Sequence, residues 1–358
     1  MLRPMGPSML RWRIGSVLLL LAAGCQLRVP SPTYISETKL IAVKAEVTEL
    51  GPLNPDRVGV PSVSPIAEAM PGDRLALEAV VVDPDGAVLE PDEVESIWFQ
   101  LGMLEGLTFE APELDVPCDE LDPHTLDDVC RIGSGNGRFE SVVPNLGALS
   151  VDTRIVSFYG VIAWNGRSAE DCWAERRSRE AVLDDCGFMQ RQVKVGPSWW
   201  LLAYAESLGL TSMIPVHQIP IAVYAQQANR VPNPRIEVWV EGELLGSYPD
   251  TAEFTARLGD SIHLEIIYDP LEQLMQAYFY ALFDEESQSY WFQAAQEFMS
   301  DTIYTTGSIH VVGDDQFGMR RDFVVDEYAE PGSAQMFIRY NDDRYGEGVA
   351  RLDFEVER

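Results

Sequence analysis

Clusters of acidic side chains are the residues of this sequence most able to do chemistry. Asp83 and Asp85 form one cluster, and Asp342 and Asp343 form another. Both clusters follow segments with strand-like alternation, which places them in turns. Turn oxygens can bind Ca²⁺, which takes roughly six to eight oxygen ligands. Alternatively, each Asp closes its turn by bonding the nearby backbone. We expect no cofactor, and calcium at these four residues is the competing prediction.

Histidines and nucleophile motifs give no support to an enzyme. His124, His217, His263 and His310 are scattered along the chain, and neither G-x-S-x-G nor H-E-x-x-H occurs. The 57 acidic residues make chance carboxylate pairs inevitable, so pairing carries no information. We therefore predict a protein that is not an enzyme, with a carboxylate-dependent hydrolase as an alternative.

The first 24 residues have the pattern of an export signal. Arg3, Arg11 and Arg13 precede an apolar run over residues 17–23, which ends in small residues directly before Cys25. The run is too short for a spanning helix, which needs about 20 apolar residues. We therefore expect residues 1–24 to be a cleaved signal peptide.

Residues 21–25 (Leu-Ala-Ala-Gly-Cys) resemble the lipobox of bacterial lipoproteins. This resemblance implies cleavage after Gly24 and acylation of Cys25, followed by a tether over residues 25–38. Several acyl chains make a durable anchor, because each buried methylene contributes about 0.8 kcal/mol. Gln26 stands where an Asp tends to retain such proteins in the inner membrane. The resemblance therefore implies a bacterial cell-envelope protein anchored by lipid in the outer membrane.

Four further cysteines, Cys118, Cys130, Cys172 and Cys186, indicate two disulfide bonds, because an even number of thiols would oxidise in the envelope. The short-range pairs Cys118–Cys130 and Cys172–Cys186 are favoured over the two other pairings. Each would close a short loop and stabilise the fold by about 3 kcal/mol. Zinc is not indicated, because no C-x-x-C spacing occurs.

Charge limits the classes of partner. The whole chain has a formal net charge of −31, and removal of the signal takes away three of the 26 basic residues, which leaves 23 against 57 acidic ones, or −34. Such a chain repels nucleic acid and anionic lipid headgroups. We expect membrane contact through the lipid alone, and an unknown protein or glycan as the partner.

Alternating apolar residues predict a chain made mainly of short β-strands separated by polar turns. Pro232 and Pro234 mark a boundary, after which the pattern restarts. The length fits about two domains. We therefore predict one β-sandwich over residues 39–228 and another over residues 229–358.

The first domain contains two stretches that look like insertions, at about residues 102–150 and 166–215. Each holds one of the cysteine pairs. The segment between Cys172 and Cys186 has few strand-forming residues, so we expect one helix there.

Two stretches resemble bacterial immunoglobulin-like domains. Residues 70–77 (Met-Pro-Gly-Asp-Arg-Leu-Ala-Leu) and 82–86 (Val-Asp-Pro-Asp-Gly) look like the early strands of such a domain, and residues 334–356 look like the last two strands. The resemblance implies two immunoglobulin-like β-sandwiches in tandem, the first with disulfide-bonded, partly helical insertions. It concerns the fold and implies no activity.

The combined expectation is a non-enzymatic scaffold or binding module of the envelope. An accessory subunit of a secretion or adhesion assembly is the main alternative, and the hydrolase is the other.

Overall fold

The computed structural model describes residues 32–51, 67–69, 72–101, 115–121, 128–144, 154–178, 183–195, 229, 231–268, 277–284, 289–296, 299–312 and 321–358. Within these ranges the regular structure is almost all β-strand. The first half contains strands β1 (Lys39–Glu49), β2 (Arg74–Val82), β3 (Glu95–Leu101), β4 (Cys130–Asn136), β5 (Arg138–Val142), β6 (Arg154–Ala163) and β7 (Cys186–Val195), and helix α1 (Ala169–Glu175).

The second half contains the other eleven described strands. They are β8 (Arg235–Val240), β9 (Glu243–Tyr248), β10 (Glu253–Arg257), β11 (Ser261–Ile267), β12 (Ala277–Asp284), β13 (Ser289–Gln296), β14 (Met299–Thr305), β15 (Ile309–Val311), β16 (Asp322–Val325), β17 (Gly332–Asp342) and β18 (Glu347–Glu357).

The first domain is a sandwich of two sheets. One sheet has the order β1-β2-β5 and the other β4-β3-β6-β7. Alternate side chains of both sheets, such as Leu75, Leu77, Trp98 and Val193, form a fully buried core between them. In immunoglobulin notation the orders are A-B-E and C′-C-F-G, which is an immunoglobulin-like arrangement.

The second domain repeats this arrangement. Its sheets have the orders β15-β16-β11-β8-β9 and β10-β18-β17-β14. In the first sheet, β15-β16-β11-β8 corresponds to D-E-B-A, and β9 is added at the edge. In the second sheet, β14-β17-β18 corresponds to C-F-G, and β10 is added at the edge. In both domains a segment before strand B also runs parallel to strand G, namely Ala69 beside Val195 and β10 beside β18. The prediction of a mainly β chain with two immunoglobulin-like sandwiches is confirmed.

A Gly-Asp turn before strand B is built in the same way in both domains. The Gly72 N–H donates to the carbonyl of Val143, and the Val143 N–H donates to the carbonyl of Asp73. In the second domain Gly259 and the residue after it make the same two bonds with Val325. Both glycines have φ near +90°, which favours glycine. The turn therefore ties strand B to strand E in each sandwich.

Helix α1 covers the outer face of the first domain's larger sheet. Ser168 caps it by accepting the Asp171 N–H at 3.1 Å. The helix buries Cys172 and Trp173, and the Trp173 ring stacks on Phe99 with centroids 4.2 Å apart. A second core therefore lies outside the sandwich.

Residues that the sequence assigned to insertions include strands of the sandwich itself, which corrects that prediction. Within 102–150, β4 and β5 are strands C′ and E, and within 166–215, β7 is strand G. The helix begins at Ala169 and ends at Glu175, so it starts before Cys172 instead of lying between the two cysteines.

The N-terminal prediction falls mostly outside the described residues, including Cys25 and residues 1–24. At the end of the predicted tether, however, residues 33–35 are bound to the second domain. Among the described residues, none of the helices has the length and apolar content needed to cross a bilayer.

The Cys172–Cys186 bond holds α1 on the sheet, so its removal should lower stability. The bond closes a loop over a sequence separation of 14. In the double variant Cys172→Ala/Cys186→Ala we expect a loss of about 3 kcal/mol in the free energy of unfolding, measured by guanidinium titration. Glu175→Ala on the same helix removes a partly exposed ion pair with Arg167 and should cost at most about 1 kcal/mol. An unchanged midpoint in the double variant would contradict the prediction.

Candidate functional site

The junction between the two domains holds the largest set of buried polar side chains among the described residues. Its apolar part forms where the outer face of β1 and β2 packs on the outer face of β17. Ile41, Val80 and Val82 of the first domain and Phe337 of the second are at most 4% exposed there. The two sandwiches therefore share a buried apolar contact.

The turn after β2 also reaches the second domain. Asp83 Oδ1 accepts the Ala87 N–H at 2.8 Å, which closes the turn. Gly86 has a φ of +80°, and a Cβ at this position would collide with the side chain of Gln335 on β17. The positive φ favours glycine here, and the second domain approaches closely at this position.

Residues 33–35, which we call the N-terminal segment, lie along the edge of β14. The Ile35 N–H donates to the Thr305 carbonyl at 2.9 Å, and the Thr305 N–H donates to the Thr33 carbonyl at 3.1 Å. The Tyr34 hydroxyl donates to the Gly307 carbonyl at 2.8 Å. Burial raises the pKa of Tyr34, so the phenol keeps the proton that it donates.

Asn229 connects the two domains through its backbone and its side chain. Its carbonyl accepts the N–H groups of Ala67 and Glu68, and its own N–H donates to Glu68 Oε2 at 3.1 Å. Its Nδ2 donates to the Arg344 carbonyl at 2.8 Å and to Asp342 Oδ1 at 3.3 Å. The residue is completely buried. A single residue between the domains thus bonds to both.

An ion pair crosses the junction beside Asn229. Arg191 Nη1 on β7 lies 3.5 Å from Glu347 Oε2 on β18, and their side chains are 5% and 3% exposed. Glu347 also accepts a hydrogen bond from Arg339 at 2.8 Å, and Arg191 donates to the Tyr345 carbonyl at 2.6 Å. Burial lowers the pKa of Arg191, and the nearby carboxylate of Glu347 opposes this effect. A guanidinium nevertheless stays charged in proteins, so the buried charge is compensated by the pair.

The predicted calcium ligands lie in the turn after β2, at the last residue of β17 and in the turn that follows it. Asp342 is buried, and its Oδ1 also accepts the N–H groups of Arg344 and Gly346, both at 2.8 Å. Asp85 and Asp343 are exposed. In the described part of the chain, no group of three or more His, Cys, Asp or Glu side chains is placed to bind a metal ion. Calcium at Asp83, Asp85, Asp342 and Asp343 stays a prediction.

Both disulfide bonds form with the short-range pairing that the sequence favoured. The Cα atoms of Cys118 and Cys130 are 4.9 Å apart, and those of Cys172 and Cys186 are 5.8 Å apart. The first bond joins a short turn to β4, and the second joins α1 to β7. Neither bond lies at the domain junction.

Sequence reasoning missed the junction residues. Arg191 and Lys194 are both buried within β7, and the chain contains only three lysines in all. Charged side chains are seldom buried unless they are paired. A charge in a strand next to the inward-facing Val193 and Val195 was the available signal, but it did not show which partner the charge would meet.

Comparisons with known proteins add little. No protein-family model matches the chain, and no curated protein matches it. Among solved structures the chain is similar to Escherichia coli alpha-2-macroglobulin activated by porcine elastase, at 8% identity over 90% of this chain, with a TM-score of 0.23. The chain spans 22% of the length of that structure. A similarity this low indicates neither a shared fold nor a shared function.

Arg191→Met tests the ion pair across the junction. The change leaves the buried Glu347 carboxylate paired with Arg339 alone, so we expect a loss of about 2–3 kcal/mol in the free energy of unfolding. Arg138→Met serves as the control, because Arg138 pairs with Glu78 at a site where the side chains are 42% and 33% exposed. The control should lose at most about 1 kcal/mol. Equal losses in the two variants would show that the junction pair is not special.

Asn229→Ala tests the connection between the domains. The Nδ2 group donates to both Asp342 and Arg344, so its removal leaves buried acceptors with one donor fewer. We expect a loss of about 1–3 kcal/mol in thermal or denaturant unfolding. Because the backbone bonds to Glu68 survive, the variant should still fold. A variant as stable as the parent protein would contradict the role given to this side chain.

Proposed function

We propose that this chain is a lipoprotein of the bacterial cell envelope, held in the outer membrane by acylated Cys25, and that it acts as a non-enzymatic scaffold or binding module. The observation that supports the scaffold role is the buried junction. The bonds of Asn229 and the Arg191–Glu347 pair hold two immunoglobulin-like domains in one relative orientation. Ordinary interfaces between domains in one chain are small and permit relative motion.

A fixed orientation suits a scaffold because its surfaces keep a constant separation. A partner that contacts both domains then loses less conformational freedom on binding than it would with a flexible pair. The negative charge of the chain excludes nucleic acid from the classes of partner. A protein or a glycan is the class that we propose.

A subunit of an envelope assembly is the second candidate, and one feature of β9 favours it. Leu244 and Leu245 are 50% and 44% exposed, and they are adjacent on a strand at the edge of the five-stranded sheet. Edge strands can pair with an extended segment of another protein. A stoichiometric partner recovered after crosslinking of intact cells, and lost in Leu244→Lys, would favour this candidate over a free-standing module.

The proposed anchor is tested by Cys25→Ala. The parent protein should take up labelled palmitate and fractionate with outer membranes, because several acyl chains give a durable anchor. The variant should lose both properties. Gln26→Ala is the control, because it keeps the cysteine and should still be acylated. If Cys25→Ala remained in the membrane fraction, lipid at this residue would not be the anchor.

A further inference from the structure

We infer that the second domain is held beside the membrane, although it comes last in the chain. The geometry that indicates this is the docking of the N-terminal segment on the edge of β14. This inference rests on the proposed acylation of Cys25. A free tether followed by two domains in series would instead place the first domain near the bilayer and the second beyond it.

The N-terminal segment is firmly docked. Thr33 and Ile35 are 8% and 1% exposed. The Thr33 carbonyl accepts the Thr305 N–H, and the Ile35 N–H donates to the Thr305 carbonyl. Between them, Tyr34 donates to Gly307 and lies against the His310 ring, with centroids 4.7 Å apart. The contacts therefore hold the chain at the turn between β14 and β15 of the second domain.

The remaining link to the anchor is short. Only residues 26–32 separate Cys25 from the docked segment, and at about 3.6 Å per residue they span at most about 25 Å. A tether that was free through residue 38 would reach about 47 Å by the same measure. The docked segment thus nearly halves the reach and attaches the anchor to the edge of β14 in the second domain, at the place where Ile35 also packs against the first domain.

Surface charge does not attract the second domain to the membrane. The turn that follows β16 carries Asp326, Glu327 and Glu330, and the charge of Asp326 adds to the effect of burial in raising the pKa of Tyr34. Acidic side chains are repelled by anionic headgroups. The covalent link sets the distance to the membrane, so that distance should not depend on salt, in contrast to electrostatic adsorption.

Energy transfer to the membrane tests the inference. The anchored full-length protein is reconstituted into phosphatidylcholine vesicles containing rhodamine-labelled lipid, and a donor dye is placed at Tyr328→Cys or Leu244→Cys. Tyr328 is 88% exposed beside Asp326, whereas Leu244 lies on β9, at the opposite edge of the five-stranded sheet from β15. Tyr328 follows β16, and three strand spacings of about 4.8 Å separate β16 from β9. We expect at least about twofold faster transfer from position 328.

Two further variants separate the effect of the docked segment from the effect of the lipid anchor. A Gly-Ser linker of about 20 residues inserted between Ser31 and Pro32 should lower transfer from both positions, while folding is unaffected. Tyr34→Ala/Ile35→Asp should remove the difference between the positions. Equal transfer in the parent protein, or transfer that is unchanged by the linker, would overturn the inference while the anchor still stands. Absence of transfer from both positions would overturn the proposed acylation itself, and the inference with it.

Discussion

The requirement that buried polar groups keep their partners determines how the two domains are arranged. Asn229 is completely buried, and each of its polar groups is bonded to one domain or the other. Arg191 and Glu347 are also buried, and separating them would take from each charge a close partner of opposite sign. Any rotation of one domain against the other breaks several of these bonds at once. The relative orientation is therefore specified by polar contacts, while apolar contacts supply the burial that makes those contacts strong.

The same constraint explains the sequence of the strands at the junction. β2 contains Val80, Val81 and Val82 in succession, which is unusual for a sandwich strand with one face in water. Val81 points into the sandwich core, whereas Val80 and Val82 face the second domain. A strand covered on both faces is apolar throughout. β3 is similar, because α1 and Trp173 cover its outer face.

Sequence patterns predicted the strands well where one face was buried and the other was exposed. β8 and β11 alternate between buried residues and residues that are half-buried or exposed, which is the pattern that sequence analysis detects. The prediction failed at β4, which contains glycines that are uncommon in strands. A Cβ on Gly133 would lie 2.6 Å from the Phe139 ring, so tertiary packing requires the glycine there. Local propensity could not reveal this contact. The short-range disulfides were predictable because they depend on nearby residues, whereas the junction joins residues more than 100 positions apart.

The docked N-terminal segment shows why order along the chain is a poor guide to order in space. Residues 33–35 extend the edge of β14, and the chain then enters β1 of the first domain directly. The N-terminal segment therefore contacts both domains before the chain enters the first sandwich. An edge strand that would otherwise expose unpaired backbone groups is covered by the same contacts. Because the junction is fixed and the segment enters beside it, a force or an anchor applied at the N-terminus acts on both domains together instead of on the first one alone.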